Sequence, residues 1–356
     1  MHFTARLESQ QEEMTMERHC TRNTPSKSAV PGLQAAVGAL ALALSGAAFA
    51  QADAAKDFPN RPLRIMGQGT GSTADYLSRV IGQKLTERWG QPVVVDNRAG
   101  AGGTIPTEVA ARATPDGHTL VMGHAGPMVS AVTLYPKLGY DPVRDLQPLS
   151  MVAQGVTALV VNTTLPVTSV KDLIAYAKQK GRLTYGSAGN GSISHLSGEL
   201  FKKVAGIEME HVPYKSAGAA LTGLLSGDVQ LSFLSPVTVA GQLKAGGAAK
   251  MRPLAVSSPK RFIGAPDIPG SAEVGLPQFE ARLWFGLFTT QKTPKPVVDK
   301  LHQAIVEILA MPDVRETILK QGIEVVSSSP AELGRFVTDE IARWTPIIKA
   351  AGITAD

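Results

Sequence analysis

The chain has 356 residues, enough for two domains at about 150 each, and 44% of it is hydrophobic, so a sizeable core is expected and disorder is not. Its single cysteine, Cys20, excludes a disulfide framework and any cysteine-built zinc or iron–sulfur centre. The scattered net charge of +5 and only 5% aromatics argue against a nucleic-acid surface, while 35 glycines and 24 prolines promise many turns.

Residues 1–28 are polar and include Arg18, Arg22 and Lys27, whereas residues 29–52 carry no charge and hold an apolar stretch from Ala35 to Leu44. Ala48-Phe49-Ala50 then precedes Gln51. That order is the layout of a secretory signal, with cleavage expected near Ala50 and a periplasmic mature chain. The start is expected to be over-extended, with Met14 or Met16 a more ordinary one. A membrane anchor is the competing reading, but the run is short and rich in Ala and Gly against the ~20 strongly apolar residues a span needs. Cys20 precedes the apolar run, so it offers no lipoprotein site. Cleavage would leave a cysteine-free chain held together by its core.

In the remainder, strands alternate with segments of helical period. Pro62–Met66 reads as a buried strand and Gly67–Ser72 as a Gly-rich turn. A helix follows with Leu77, Val80, Ile81, Leu85 and Trp89 on one face and Gly90 as its stop. Pro92–Asp96, Thr119–Gly123 and Leu159–Asn162 read as strands, the second after a Pro115-Asp116-Gly117 turn. Ser169–Lys180 is a helix with Ser169 and Asp172 in a capping arrangement. Leu183–Ser187 is a strand, followed by a helix carrying Leu196, Leu200, Phe201 and Val204 and ended by Gly206. His211–Pro213, Val229–Leu234 and Leu254–Ser257 are short strands, and Leu283–Thr289 is a fully buried run. Val297–Ala310, Val314–Gln321 and Ala331–Ala350 are helical.

The alternation predicts an α/β fold with mostly parallel sheets. The C-terminal helices follow a strand yet have no sheet of their own, so they are expected to return over the first domain. The chain then crosses between two lobes twice, near Val152–Val156 and Pro277–Leu283. This gives lobe 1 as residues 51–154 plus 281–356, and lobe 2 as 155–280.

Two strand–glycine–helix turns carry the chemistry: Gly67 to Asp75, and Ser187 to His195. Helix N-termini offer unpaired N–H groups and partial positive charge, glycines let backbone approach, and Ser and Thr add donors, so each turn suits a carboxylate or phosphate without arginine. Each equally suits a capped helix alone; the pair, one per lobe, favours an anion held across a cleft. Gly69 to Ala74 also fits G-x-G-x-x-A, with Asp96 ending the next strand, as in a dinucleotide fold. The signal peptide and the lack of an acid–base set weigh against that oxidoreductase reading. No G-x-S-x-G elbow, paired carboxylates or metal-ligand spacing occurs, so no enzymatic activity, metal or cofactor is expected. His195 reads either as a ligand donor or as a helix-start hydrogen-bonding residue, and Ser235 either as a ligand contact or as a cap. The Gly-rich loop from Asp96 to Gly103 reads as structural rather than as a phosphate cradle.

The chain resembles the solute receptors of tripartite tricarboxylate transporters, the Bordetella-uptake type. The resemblance is carried by the loop ending at Asp75, the run Gly90 to Gly103, Ala113 to Leu120, Tyr140 to Leu146, Ser187 to Gly191, Ser194 to Phe201 and His211 to Lys215, in order from about Phe58 to Ile353. It implies a periplasmic-binding-protein fold of the "Venus flytrap" kind and a small carboxylate ligand (a di- or tricarboxylate, an amino acid or an aromatic acid). It also implies two membrane subunits as partners, in a monomeric receptor. Carried over by position, the ligand-binding residues are Gly71, Ser72 and Thr73 with Asn190, Ser192, Ser194 and His195. Where the family has Pro and an aromatic, this chain has Gly67, Gln68, Gly69 and Thr70; where the family's strand near Phe233 continues with Asp-Asn or Asp-Ser, this chain has Leu234 and Ser235. Gln68 and Ser235 are therefore the candidates for reading the ligand's distal end. A ligand sensor for a signalling kinase on the same fold is the alternative.

Overall fold

The computed structural model describes residues 55–355 except 68, 71, 99, 100, 247 and 248. The expected signal peptide thus lies outside the described residues, and so do Gln68 and Gly71.

The apolar run after Pro62 forms strand β1 (Leu63–Gly67), buried at all but one position. Ser72 caps helix α1 (Thr73–Trp89) by accepting the Asp75 N–H at 3.1 Å, and Gly90 ends it in the left-handed conformation at φ 69°. The helical period places Leu77, Ile81 and Leu85 fully in the core. Strand β2 (Val93–Asn97), helix α2 (Thr104–Ala111) and strand β3 (Thr119–Gly123) follow. A π-helical turn at Gly126–Ser130 then runs into the short helix α3 (Ala131–Leu134).

β1 pairs in parallel with both β2 and β3. The long strand β4 (Leu146–Val156) pairs antiparallel with β10 (Arg282–Thr290), which also runs antiparallel to β3. With β11 (Glu324–Val325) they make a six-stranded sheet of order β11-β4-β10-β3-β1-β2. The second sheet has the order β7-β6-β8-β5-β9, built from β5 (Ala158–Asn162), β6 (Leu183–Ser187), β7 (Met209–Pro213), β8 (Leu231–Leu234) and β9 (Met251–Val256). Its helices are α4 (Val170–Lys180), α5 (Ile193–Ala205), α6 (Ala217–Ser226) and α7 (Pro236–Lys244). Ser169 caps α4 through the Asp172 N–H, but the Asp172 carboxylate reaches back to Thr168 rather than to Ser169.

The expectation of mostly parallel sheets fails. β7, β6 and β8 are parallel, but β5 is antiparallel to both β8 and β9, and the first sheet is mixed in the same way. The parallel parts are those joined by helical crossovers. The antiparallel pairings involve the strands that carry the chain out of one sheet and into the other, which need no such crossover.

The passage from first to second sheet falls at Thr157, the single residue between β4 and β5, and the return runs through residues 257–281. The fold is two-lobed α/β with two crossings, and a buried knot of hydroxyls ties those crossings together. The Thr157 N–H donates to Ser257 Oγ at 2.9 Å, and Ser257 Oγ donates to the Ala281 carbonyl at 2.7 Å. Thr157 Oγ1 lies 3.0 Å from Ser197 Oγ and 3.1 Å from Ser257 Oγ.

The last helices, α8 (Lys295–Ala310), α9 (Pro312–Leu319) and α10 (Pro330–Ala350), return to the first sheet. Val297, Leu301, Ile305 and Ile308 share a core with Ile65, Leu77, Leu120 and Leu149. α10 opens with a Ser329–Glu332 capping box and lies along β4 and the π-helical turn. Its buried Glu340 accepts from Trp344 Nε1 at 2.9 Å and from Arg343 at 3.3 Å. Among the described residues, no helix is long and apolar enough to cross a membrane.

Candidate functional site

Because β1, β2 and β3 are parallel, their carboxyl ends share one edge of the first sheet; β6, β7 and β8 do the same in the second. Ligands of open α/β sheets bind outside such edges. Both Gly-rich turns lie there, after β1 and after β6, and Ser235 lies there after β8.

In the first turn Ser72 is exposed but already engaged as the α1 cap, and Thr73 is the half-buried first helical residue. Beneath them is Asp75, only 3% exposed, whose Oδ1 accepts from Asn97 Nδ2 at 2.7 Å and from Arg79 at 3.0 Å. The first turn of a helix suits this carboxylate, and Asn97 ties the end of β2 to it. Arg98 N–H donates to the Gly67 carbonyl at 2.9 Å, so the loops after β1 and β2 are bound as one unit. Asp96, the acid of the dinucleotide reading, sits 3.3 Å from Arg98 and 3.8 Å from Arg64. It is a paired surface acid.

The second turn gathers Asn190, Ser192, Ser194 and His195 in one place. Ser192 Oγ donates to the Gly189 carbonyl at 2.7 Å and accepts the His195 N–H at 3.3 Å, capping α5. Ser194 Oγ accepts from Ala188 N at 3.0 Å and touches Ser192 Oγ at the same distance. His195 is buried, and its Nδ1 accepts the Gly191 N–H at 3.3 Å. Burial, with the neighbouring His211 adding to it, pushes its pKa down to about 3, so the ring is neutral and Nδ1 is free to accept. His211 stacks on it at 3.6 Å and brings Nε2 to 2.6 Å from Ser187 Oγ. The His195 side chain therefore holds the Gly191 end of the turn through Nδ1. Ser235 stands at the N-cap of α7 but makes no capping bond.

Sequence reasoning missed the loop after β3. There His124 Nδ1 accepts the Gly126 N–H at 3.1 Å, and burial lowers its pKa to about 4. Ser130, at the end of the π-helical turn, donates to the Gly191 carbonyl at 2.8 Å, a direct bond from this loop to the second turn. The one available signal was the Gly126-Pro127 pair after a strand. Among the described residues, no group of three or more His, Cys, Asp or Glu is placed to hold a metal ion. The arrangement is two serine-capped helix starts, rich in neutral donors, at matching edges of two sheets.

A family model described as the tripartite tricarboxylate transporter family receptor matches residues 77–353. The protein BugT of Bordetella pertussis is 33% identical over 312 residues, which cover 87% of this chain and 95% of BugT. Among solved structures, Rpa4515 of Rhodopseudomonas palustris with adipate is 37% identical, with a TM-score of 0.76 over 84% of this chain and 99% of that one. MatC (Rpa3494) of the same organism, with bound malate, is 31% identical, with a TM-score of 0.72 over 82% of this chain and 100% of its own. With the family model matching residues 77–353 and a relative 33% identical over 87% of this chain, the chain belongs to the tripartite tricarboxylate transporter receptor family.

Proposed function

We propose that this protein is a non-enzymatic periplasmic receptor that closes two lobes on a small carboxylate and delivers it to the two membrane subunits of a tripartite transporter. The lobes are residues 51–154 with 281–356, and residues 155–280. The mature receptor works as a monomer after cleavage near Ala50. The observation that carries this reading is the pair of Ser-capped helix N-termini, α1 and α5, at the carboxyl edges of parallel strands in the two sheets. The adipate and malate of the two relatives support a carboxylate as the ligand class.

In this reading Gly71, Ser72 and Thr73 face Asn190, Ser192, Ser194 and His195 across the ligand carboxylate. His195 holds the second turn in shape, and Gln68 and Ser235 contact the distal end. A calorimetric screen of di- and tricarboxylates, amino acids and aromatic acids tests it. At least one carboxylate binds the wild type, and Ser72→Ala combined with Asn190→Ala abolishes that binding in a protein that still unfolds cooperatively. A screen in which no carboxylate binds would refute the receptor; unchanged affinity in the double variant would refute the pincer.

A further inference from the structure

We propose that the hydrogen bond from Ser130 to the Gly191 carbonyl is the latch of lobe closure, and that Ser130 is a positioning residue for ligand retention. The proposal rests on the receptor reading above. Ser130 belongs to the segment following β3 of the first sheet and Gly191 to the turn following β6 of the second, so their 2.8 Å bond joins the two lobes directly. Ser130 is 1% exposed and Gly191 is buried, and the bond is made away from solvent.

Three further observations make this a built contact. First, Gly191 has φ 69°, and a Cβ there would lie 2.6 Å from Leu134 Cδ1 and 3.3 Å from Ser130 Cβ. The surfaces meet this closely only because the residue is glycine, in a conformation that glycine tolerates best. Second, the acceptor is pre-aligned: the Gly191 N–H is held by His195 Nδ1, so the turn arrives with its shape set. Third, the donor is pre-aligned from the other side. His124 accepts from Gly126 through Nδ1 and from Met128 through its carbonyl, and Tyr140 Oη donates to the Pro127 carbonyl at 2.7 Å. The π-helical winding that delivers Ser130 is uncommon and recurs at functional sites.

When the lobes part, hydroxyl and carbonyl each find water; when they close, each finds the other. The bond therefore favours only the closed arrangement, and its loss speeds ligand release without weakening either lobe. Truncating the hydroxyl should shift the closed-to-open ratio about three- to tenfold, the usual net effect of one such bond.

Spin labels at Lys137→Cys and Thr222→Cys, both exposed and in different lobes, read that ratio by double electron–electron resonance, with and without adipate as the probe. The wild type is expected to show a short-distance population that Ser130→Ala depletes about three- to tenfold and Ser130→Thr retains. Gly191→Ala removes it, with the melting temperature of Ser130→Ala without ligand unchanged. The same ratio in Ser130→Ala and wild type under both conditions overturns the latch, as does a wild type with no short-distance population in either. A wild type that ignores adipate while Ser130→Ala still loses its short population speaks against adipate as ligand and leaves the latch standing.

Discussion

Lowering the pH from 7 to 5 is expected to cost this protein about 4 kcal/mol of stability through two buried histidines. Burial pushes His195 down to about 3 and His124 to about 4, against an ordinary value of 6.5. The unfolded chain takes up both protons as the pH falls through 6.5, whereas the folded protein refuses them until well below 5. Stability is therefore complete above 6.5 and drains away as the pH falls towards the folded values, because the unfolded state binds more protons in that window. Between pH 7 and 5 the cost is about 2 kcal/mol for each ring. Carboxylates held low by partners, such as Asp145 beside Arg144 and Glu273 beside Arg261, stay ionised in the folded state and only begin to protonate in the unfolded chain near pH 5, so they add little to the loss. Urea unfolding at the two pH values reads the effect directly. Asparagine keeps an acceptor near the place of Nδ1 but cannot titrate, so His195→Asn should remove about half of the loss, and the double variant with His124→Asn nearly all of it. A His195→Asn protein as pH-sensitive as the wild type would refute the reasoning.

Two other outcomes follow from the structure and the signal reading. Glu340→Ala leaves the buried Trp344 N–H without its acceptor and leaves Arg343 only the Glu280 carbonyl, and thermal unfolding should show a loss of about 2–3 kcal/mol, with Glu340→Gln losing less. Intact mass of the exported protein should correspond to a chain beginning at Gln51, and a mass that includes residues 1–50 would sink the signal-peptide reading.

The parallel strands and their capped helices were legible because they depend on neighbours in sequence. Ser72, Ser169 and Ser192 each stand before a run of helical period, and each caps a helix. Strand β4 was not legible. Gln147, Pro148, Gln154 and Gly155 interrupt its apolar pattern, and its burial comes from β10 and α10, more than a hundred residues further on. Helix α6 escaped for another reason: Ala217–Ser226 is uncharged throughout and, apart from its three leucines, small, with little contrast between its faces. At the site, glycine and serine marked the two turns, but nothing local marked what supports them. Asp75 meets Asn97 across 22 residues and Ser130 meets Gly191 across 61, pairings that exist only once the sheets are assembled.

Ser257 has a mechanical meaning. One hydroxyl touches both connecting segments, at Thr157 and at Ala281, so neither can twist without loading the other. Two independent connectors would allow the lobes to wobble about several axes; two connectors pinned at a common point leave one low-cost rotation. In the closure proposed above, such a joint swings like a door rather than a ball in a socket and returns Ser130 to the same carbonyl on every stroke.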